Sequence, residues 1–226
     1  AAFVRSPPPH ALIKSIDTVA ARAVPGVTAV YTLADFSPHI LADRLPLQFP
    51  SKDFGPDVTP YLLAGDEVCH VGEVIAMVIA ETRYVAEDAA LLVEVDYDPL
   101  PSVAGCAAAF ADDAPLVHRD TDDNVLVRFQ QSYGDADAVF AAAPHVFGDR
   151  FVQRRGAAHP IEGRGAVARY DALDDAITLW SSTQMSHEVR STMVRLFGMD
   201  EGQVRVVAPD VGGGFGSKYI AYSEEI

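Results

Sequence analysis

Four glycines surround one phenylalanine in the stretch APDVGGGFGSKY, residues 208–219. Glycine loses more conformational freedom on folding than any other residue, so this cluster requires a structural reason. One reason is a ligand, because backbone N–H groups in such a loop can point at an anionic or oxygen-bearing group while Phe215 packs against it. The other is a tight turn that only lets two stretches of backbone approach closely. The loop by itself does not distinguish these two explanations.

The spacing of the same residues excludes two nucleotide-binding motifs. A phosphate-binding P-loop requires Gly-x-x-x-x-Gly-Lys-Ser/Thr, whereas here Lys218 follows Ser217 and precedes Tyr219. The dinucleotide fingerprint Gly-x-Gly-x-x-Gly requires a glycine at position 217, which is serine. The loop therefore predicts neither kind of nucleotide site.

Few other side chains suggest catalysis or metal binding. His159 and His187 could act as acid or base, but a single histidine beside a turn is more often only hydrogen-bonded, so neither is assigned a catalytic role. Cys69 and Cys106 lack Cys-x-x-Cys spacing, which argues against an iron–sulfur or zinc site within the chain. We expect both thiols to be buried as small apolar groups in a reducing, cytoplasmic compartment.

The charge of the chain argues against another class of partner. The 226 residues carry a net charge of −15, from 17 basic and 32 acidic side chains. Such a surface repels nucleic acids and anionic membranes, so we expect neither as a partner. No uninterrupted apolar run reaches the length needed to span a bilayer, and the first residues lack the apolar segment of a signal peptide.

The apolar pattern of the first half predicts strands separated by short helices. Strands are expected at the N-terminus and in ALIKSID, VTAVYTLADF, VIAMVIA and LLVEVDY, with a helical turn before Pro25. Thr82 is a suitable N-cap for a helix that runs to about Leu91. Residues 37–60 are rich in proline and lack periodicity, so we expect an irregular, exposed excursion there.

The second half begins after a change of composition. Residues 101–125 are rich in alanine and aspartate without a clear period, so we place a domain boundary inside them, between 110 and 111. Strands are then expected in NVLVRFQ and HVFGDRFVQRR, on either side of a short helix in DADAVFAAA.

The rest of the second half carries stronger patterns. GRGAVARYD and DAITLWSST predict a hairpin that turns at residues 173–175. The segment SHEVRSTMVRLFG predicts an amphipathic helix that ends at Gly198. Its apolar face holds Val189, Met193, Val194 and Phe197. The strand QVRVVAP then leads directly into the glycine loop.

These elements and motifs, taken in order, resemble the xanthine oxidase family, which includes aldehyde oxidoreductases, carbon monoxide dehydrogenases and N-heterocycle hydroxylases. The segment STQMSHEVRSTMVRLFGMDEGQVRVVAPDVGGGFGSK is similar to the family's molybdenum-cofactor segment. The first half, notably VGEVIAMVIAETRYVAEDAALLVEVDYDPLP, resembles its α/β-hammerhead domain. The resemblance implies an α+β fold, with an α/β-hammerhead domain over residues 1–110. The N-terminal part of a mixed α+β molybdopterin-binding domain follows over residues 111–226.

The resemblance also implies which residues adjoin the cofactor. Gln184 matches the glutamine whose side-chain amide lies beside an oxo ligand of molybdenum. The loop that abuts the metal and the pterin dithiolene is matched by Gly213, Gly214, Phe215 and Gly216. Because the pterin supplies the sulfur ligands, Gln184 and Phe215 are expected to lie next to the metal without binding it directly.

A third family segment, Pro-x-Glu-Pro-Arg-Gly, is similar to PIEGRG at residues 160–165, with Gly163 in place of the second proline. Its two charged residues, Glu162 and Arg164, are expected to form a buried structural ion pair rather than to act in catalysis.

The implied function is part of a molybdenum hydroxylase that hydroxylates an aldehyde or an N-heterocycle with water as the oxygen source. The implied cofactor is molybdenum–molybdopterin in its cytosine dinucleotide form, with iron–sulfur clusters and FAD only on partners. The family's general-base glutamate has no match here, not even in Glu224 or Glu225, so no catalytic residue is expected on this chain.

The chain alone is therefore not expected to be catalytically competent, and a hetero-oligomer is implied. Its partners would be the remaining part of the molybdenum subunit, an iron–sulfur subunit, an FAD subunit and a small-molecule substrate that these residues do not identify. The alternative is a non-catalytic assembly module or fragment that keeps the fold without bound cofactor.

Overall fold

The computed structural model describes residues 1–46, 58–153 and 156–226. Their strands form three sheets of three strands each, which confirms an α+β fold. In chain order the helices and strands are β1 (Ala2–Arg5), β2 (Ala11–Asp17), α1 (Val19–Arg22), β3 (Val27–Thr32), α2 (Leu33–Phe36), β4 (Glu67–Val68), β5 (Val74–Ala80), α3 (Arg83–Ala90), β6 (Glu94–Pro99), α4 (Cys106–Ala109), α5 (Ala136–Ala142), β7 (Ala166–Asp171), β8 (Ala176–Ser181), α6 (Ser186–Phe197) and β9 (Val204–Val207).

The first half consists of two antiparallel sheets that share an apolar core. One sheet has the order β1-β5-β3 and the other the order β4-β2-β6. Strand β5 is central in its sheet and is continuously apolar, as expected for a strand that is covered on both faces. On one side Ala86 and Ala89 of α3 pack against Val78, and on the other Ile75 packs with Val68 of β4.

Most predicted elements of this half are confirmed. The strand predicted to run through Phe36 is wrong in its last part, because β3 ends at Thr32 and α2 begins there. A capping box explains the change: the Thr32 backbone N–H donates to Asp35 Oδ2 at 2.7 Å.

Residues 37–39 and 41–43 are exposed, as expected, but the expectation is wrong for Leu45. Leu45 is buried against Leu62 and against Leu196 of α6. The Leu41 backbone N–H also donates to the Leu196 carbonyl at 2.7 Å. The sequence pattern did not predict this contact, because the prolines interrupt the regular spacing of apolar residues while the apolar side chains themselves remain. Residues 47–57 of the segment lie outside the described residues.

The second half holds the third sheet, with the order β7-β8-β9. The predicted hairpin is confirmed as the antiparallel pair β7 and β8, and β9 lies parallel to β8. Helix α6 makes the crossover between those parallel strands, and it ends as predicted at Gly198, whose φ of 66° is left-handed. Val189 and Met193 of α6 are buried against Leu179 and Val204 of the sheet.

Two predicted strands in the second half are wrong. Helix α5 forms where expected, but residues 125–131 and 144–153 form no named strand. A strand needs a neighbour that takes up its backbone hydrogen bonds, and the described residues provide none here. Apolar side chains of these segments remain in solvent instead; Phe147 is 91% exposed. Arg154 and Arg155, at the end of the second predicted strand, lie outside the described residues.

Two further observations concern the cysteines and the helices. Cys106 is exposed because it lies on α4 in the surface crossover, which contradicts the expectation of a buried thiol, whereas Cys69 is partly buried. Among the residues that the structure describes, no helix combines the length and the apolar character that crossing a bilayer requires.

The N-cap of α3 generates a prediction about stability. The Thr82 hydroxyl accepts a hydrogen bond from the Val85 backbone N–H at 3.2 Å. Replacing Thr82 with alanine removes this acceptor and should lower the free energy of unfolding by about 1 kcal/mol in urea titrations. Thr82→Ser retains the hydroxyl and should unfold close to the unsubstituted protein; equal losses in both variants would contradict the capping role.

Candidate functional site

The ends of two neighbouring strands bring Gln184 and the glycine loop together. Strands β8 and β9 are parallel, so their carboxyl ends meet at the same edge of the sheet. Gln184 follows β8, and residues 212–216 follow β9. The Gln184 backbone N–H donates to the Lys218 carbonyl at 2.8 Å, which holds the two segments side by side.

The side-chain amide of Gln184 is oriented by the loop. Its Oε1 accepts hydrogen bonds from the backbone N–H groups of Gly216 at 3.1 Å and Lys218 at 3.3 Å. Both neighbours are donors, which decides that the oxygen and not the nitrogen faces the loop. The Nε2 amide group is therefore left outward as a hydrogen-bond donor, and within the described ranges no residue accepts from it.

Three of the four glycines are required by contacts within the protein. A Cβ atom on Gly212 would lie 2.6 Å from Glu162 Cβ, and one on Gly214 would lie 2.4 Å from Gln184 Oε1. On Gly213 it would lie 2.8 Å from a ring carbon of Phe215. The close-packing explanation therefore accounts for residues 212–214, which press against the side chains that shape the site.

Gly216 and Phe215 lie on the open side of the loop. Nothing lies within 4 Å of the place where a Gly216 Cβ would be, but its φ of 85° favours glycine. Phe215 has a φ of 50°, unusual for a residue with a side chain, and its side chain is 76% exposed. The strained backbone and the exposed ring are features that occur at ligand sites more often than in ordinary turns.

The loop also offers unused hydrogen-bond donors. The backbone N–H groups of Gly214 and Phe215 donate to no residue in the part of the chain that the structure describes. Together with Gln184 Nε2, they give this edge of the sheet a donor-rich surface that suits an anionic or oxygen-bearing group. These donors therefore fit the anionic or oxygen-bearing ligand that was one of the two explanations for the glycine-rich sequence.

An ion pair supports the loop from beneath. Lys218 is fully buried, and its Nζ lies 2.6 Å from Glu162 Oε2, which also accepts from the Gly212 N–H at 2.8 Å. The hydrogen bond from Lys218, followed by that from Gly212, holds the pKa of the Glu162 carboxyl below its ordinary value of 4.5. A buried ammonium needs such a counter-charge, so the pair fixes the position of the loop.

The predicted ion pair between Glu162 and Arg164 is therefore wrong. The Arg164 guanidinium lies over the Tyr222 ring, 3.7 Å from its centroid, and 3.5 Å from Glu224. Glu162 pairs with Lys218 instead, because the buried ammonium needs a counter-charge and the Glu162 carboxylate supplies it.

The other candidate acid–base residues lie apart from this arrangement. His159 and His187 are exposed, and neither has a hydrogen bond or ion pair with any described residue. Glu224 forms ion pairs with Arg5 and Arg164. Glu225 is buried with its Oε1 lacking a hydrogen-bond partner among the described residues, and this burial raises the pKa of its carboxyl.

Two family models match consecutive parts of the chain. The model described as "Aldehyde oxidase and xanthine dehydrogenase, a/b hammerhead domain" matches residues 1–101. The model described as "Molybdopterin cofactor-binding domain" matches residues 117–226.

Individual proteins are similar over nearly the whole chain. The large subunit of nicotine 6-hydroxylase from Paenarthrobacter nicotinovorans is 40% identical over 100% of this chain and 27% of its own length. The carbon monoxide dehydrogenase large chain of Afipia carboxidovorans is 40% identical over 98% of this chain and 28% of its own.

A solved structure of quinoline 2-oxidoreductase from Pseudomonas putida 86 matches with a TM-score of 0.85 and 35% identity. The match covers 99% of this chain and 28% of that chain, so this chain spans about a quarter of the length of such relatives. Hammerhead and molybdopterin-binding regions thus follow one another in the order that the sequence motifs predicted. The chain belongs to the xanthine oxidase family, as a part of its molybdenum-binding subunit.

Proposed function

We propose that this chain forms part of a molybdenum hydroxylase that oxidises an aldehyde or an N-heterocycle with water as the oxygen source. The observation that carries the proposal is the Gln184 amide, whose oxygen is bound by the glycine loop and whose nitrogen is presented outward. Two of the relatives support the class of reaction, because they are named for nicotine and quinoline, which are N-heterocycles.

The proposed cofactor is molybdenum–molybdopterin in its cytosine dinucleotide form. When bound, this group supplies a metal that takes electrons from the substrate while water provides the oxygen atom. The residues proposed to adjoin it are Gln184, Gly214 and Phe215, which have open donors, Gly216 on the open side of the loop, and Gly213, which packs against the Phe215 ring.

The chain's own residues act on such a group by position and hydrogen bonding. Gln184 Nε2 and the N–H groups of Gly214 and Phe215 donate to oxygen-bearing parts of the cofactor. The exposed Phe215 ring covers it and excludes water, which strengthens those hydrogen bonds. The pair of Lys218 and Glu162 keeps the loop in place, so the donors are oriented before the cofactor binds.

Exposed apolar side chains of the second half support the proposal that other protein completes the site. They come from residues 125–131 and 144–153 and from α5 and β7, and they include Phe129, Val139, Phe140, Phe147, Phe151 and Val167. Large apolar side chains left in water often mark a protein interface, so the remaining part of the molybdenum subunit is proposed to cover them.

The proposed electron route leaves this chain. Its two cysteines cannot supply the four thiolates of an iron–sulfur cluster, so partner subunits are proposed to carry the clusters and FAD. The compartment proposed is the cytoplasm, because two free thiols suit a reducing environment.

The proposal predicts the composition of the native complex. Isolated from its source with the polypeptides that accompany it, the protein should contain molybdenum and a pterin in stoichiometric amounts, by elemental analysis and fluorescence. The complex should also reduce an acceptor dye when supplied with a member of a panel of aldehydes and N-heterocycles. A stoichiometric complex without metal would instead support a non-catalytic assembly module.

A second prediction separates the two functions of the Gln184 amide. Gln184→Glu keeps an oxygen that accepts from the loop but replaces the outward donor with a second oxygen. Loss of one such donor should lower kcat on the identified substrate by about 100- to 1000-fold while molybdenum content is kept. Gln130→Glu makes the same chemical change at an exposed site and serves as the control; equal kcat in both variants would refute the donor role.

A third prediction concerns the packing of the loop. A Cβ atom at position 214 would lie 2.4 Å from Gln184 Oε1, so Gly214→Ala must displace either the loop or the amide. We expect this variant to lose molybdenum while its circular dichroism spectrum stays close to that of the unsubstituted protein. Gly202→Ala, where nothing lies within 4 Å, should keep its molybdenum. Full molybdenum content in Gly214→Ala would show that the loop is only a turn.

A further inference from the structure

Three chemically different side chains converge in the first half of the chain. His10 lies directly before β2, Glu67 belongs to β4, and Cys69 follows β4. One ring nitrogen, one carboxylate oxygen and the thiol sulfur of these residues all lie within 4.8 Å of one another. The histidine and the glutamate are buried, and the cysteine is partly buried. We refer to these residues as the His10 cluster.

The His10 ring lies between two hydrogen-bond acceptors. Its Nδ1 is 2.8 Å from the Pro101 carbonyl oxygen, and its Nε2 is 2.9 Å from Glu67 Oε1. A neutral imidazole carries one N–H and can satisfy only one of them. The second contact therefore needs either a further proton, on the ring or on the Glu67 carboxyl, or a cation bound by both groups.

The position of Pro101 suits a metal-binding histidine. Such a histidine usually donates its remote N–H to a carbonyl or carboxylate, which fixes the tautomer that directs the other nitrogen to the metal. Here the Nδ1–H would donate to Pro101, and the Nε2 lone pair would face the side of Glu67 and Cys69. Nitrogen, oxygen and sulfur ligands together are the set that Zn²⁺ prefers.

Carboxylates give the cluster a negative potential. Burial, followed by the charges of Glu67 and Glu73, raises the pKa of the Cys69 thiol to about 12. The same carboxylates attract a divalent cation, which can replace the thiol proton. Arg119 Nε lies 3.7 Å from Glu67 Oε2 and offsets part of this potential.

A cavity and a further histidine adjoin the cluster. The cavity measures about 180 Å³, is lined by His10, Cys69 and Val117 among others, and gives an ion access. His118 follows Val117, and its Nδ1 is buried without a hydrogen-bond partner among the described residues. The His118 side chain is only partly buried and is not one of the three that converge, so it is not among the proposed ligands.

We propose that His10 Nε2, the Glu67 carboxylate and the Cys69 thiolate bind a zinc ion, with a water molecule as the fourth ligand. The ion would join the start of β2 to β4 and the residue that follows it. A search for Cys-x-x-Cys spacing could not find this site, because it has one cysteine and because His10 and Glu67 are 57 positions apart in the sequence. The proposal does not depend on molybdenum binding.

Cobalt spectroscopy on the purified full chain tests the site. After removal of metal with a chelator, titration with Co²⁺ should give one equivalent of binding, tetrahedral visible bands and a thiolate-to-cobalt charge-transfer band that Zn²⁺ abolishes. Cys69→Ser should lose the charge-transfer band and weaken binding by more than about tenfold, a loss of about 1.4 kcal/mol. Cys106→Ser changes the exposed cysteine and should leave both unchanged.

If Cys69→Ser does not fold, the zinc site can still be tested on the unsubstituted protein. X-ray absorption at the zinc edge should show one sulfur at about 2.3 Å and nitrogen or oxygen ligands at about 2.0–2.1 Å. Affinity should also rise with pH, because the thiol must release its proton. Absence of sulfur around the zinc, or no binding at all, would overturn the proposal and leave His10 and Glu67 as a buried hydrogen-bonded pair.

Discussion

The buried ammonium of Lys218 organises the candidate site. Its Nζ binds Glu162, its N–H donates to Gln184 Oε1, and its carbonyl accepts from the Gln184 backbone N–H. The Glu162 carboxylate then accepts from Gly212 at the far end of the loop. A single buried residue thus connects the segment that precedes β7, the segment that follows β8 and the glycine loop. Because an unpaired buried charge is very costly, the pairing of Lys218 with Glu162 favours the arrangement that holds these contacts.

The two halves of the chain depend on one another through a different set of contacts. Leu41 and Leu45 reach from the first half to Leu196 of α6. Near the end of the described chain, Glu224 lies between Arg5 of β1 and Arg164 of the second half. Apolar burial and charge therefore both tie the hammerhead region to the sheet that carries the glycine loop.

Local sequence patterns correctly predicted the elements that are determined by residues close to one another in the sequence. The continuous apolar run of β5, the Thr82 cap and the apolar face of α6 that ends at Gly198 each depend on residues a few positions apart. Motif resemblance added the order of the two domains, and the family matches agree with it. The candidate site residues Gln184 and Gly213–Gly216 do lie together.

Features with distant causes could not be predicted in this way. Residues 144–153 contain Val and Phe side chains that are common in strands, but strand formation depends on a neighbour that the local sequence does not describe. The partner of Glu162 lies 56 positions along the chain, and the contact of Leu45 with α6 crosses between the halves. One local feature could have suggested that Lys218 is buried, namely its position directly after the glycine loop. In the sequence, however, the spacing of that lysine served only to exclude a P-loop.

The fixed orientation of the Gln184 amide has a consequence for selectivity. An unrestrained glutamine can exchange its oxygen and nitrogen by rotation and so accommodate either a donor or an acceptor. Here the loop amides hold the oxygen, and rotation would bring the NH₂ group against two other donors. The candidate site therefore discriminates by hydrogen-bond polarity as well as by shape. Beside Gln184 Nε2 it favours a ligand atom with a lone pair and disfavours an N–H or O–H group. That preference is set by the protein itself, before any ligand arrives.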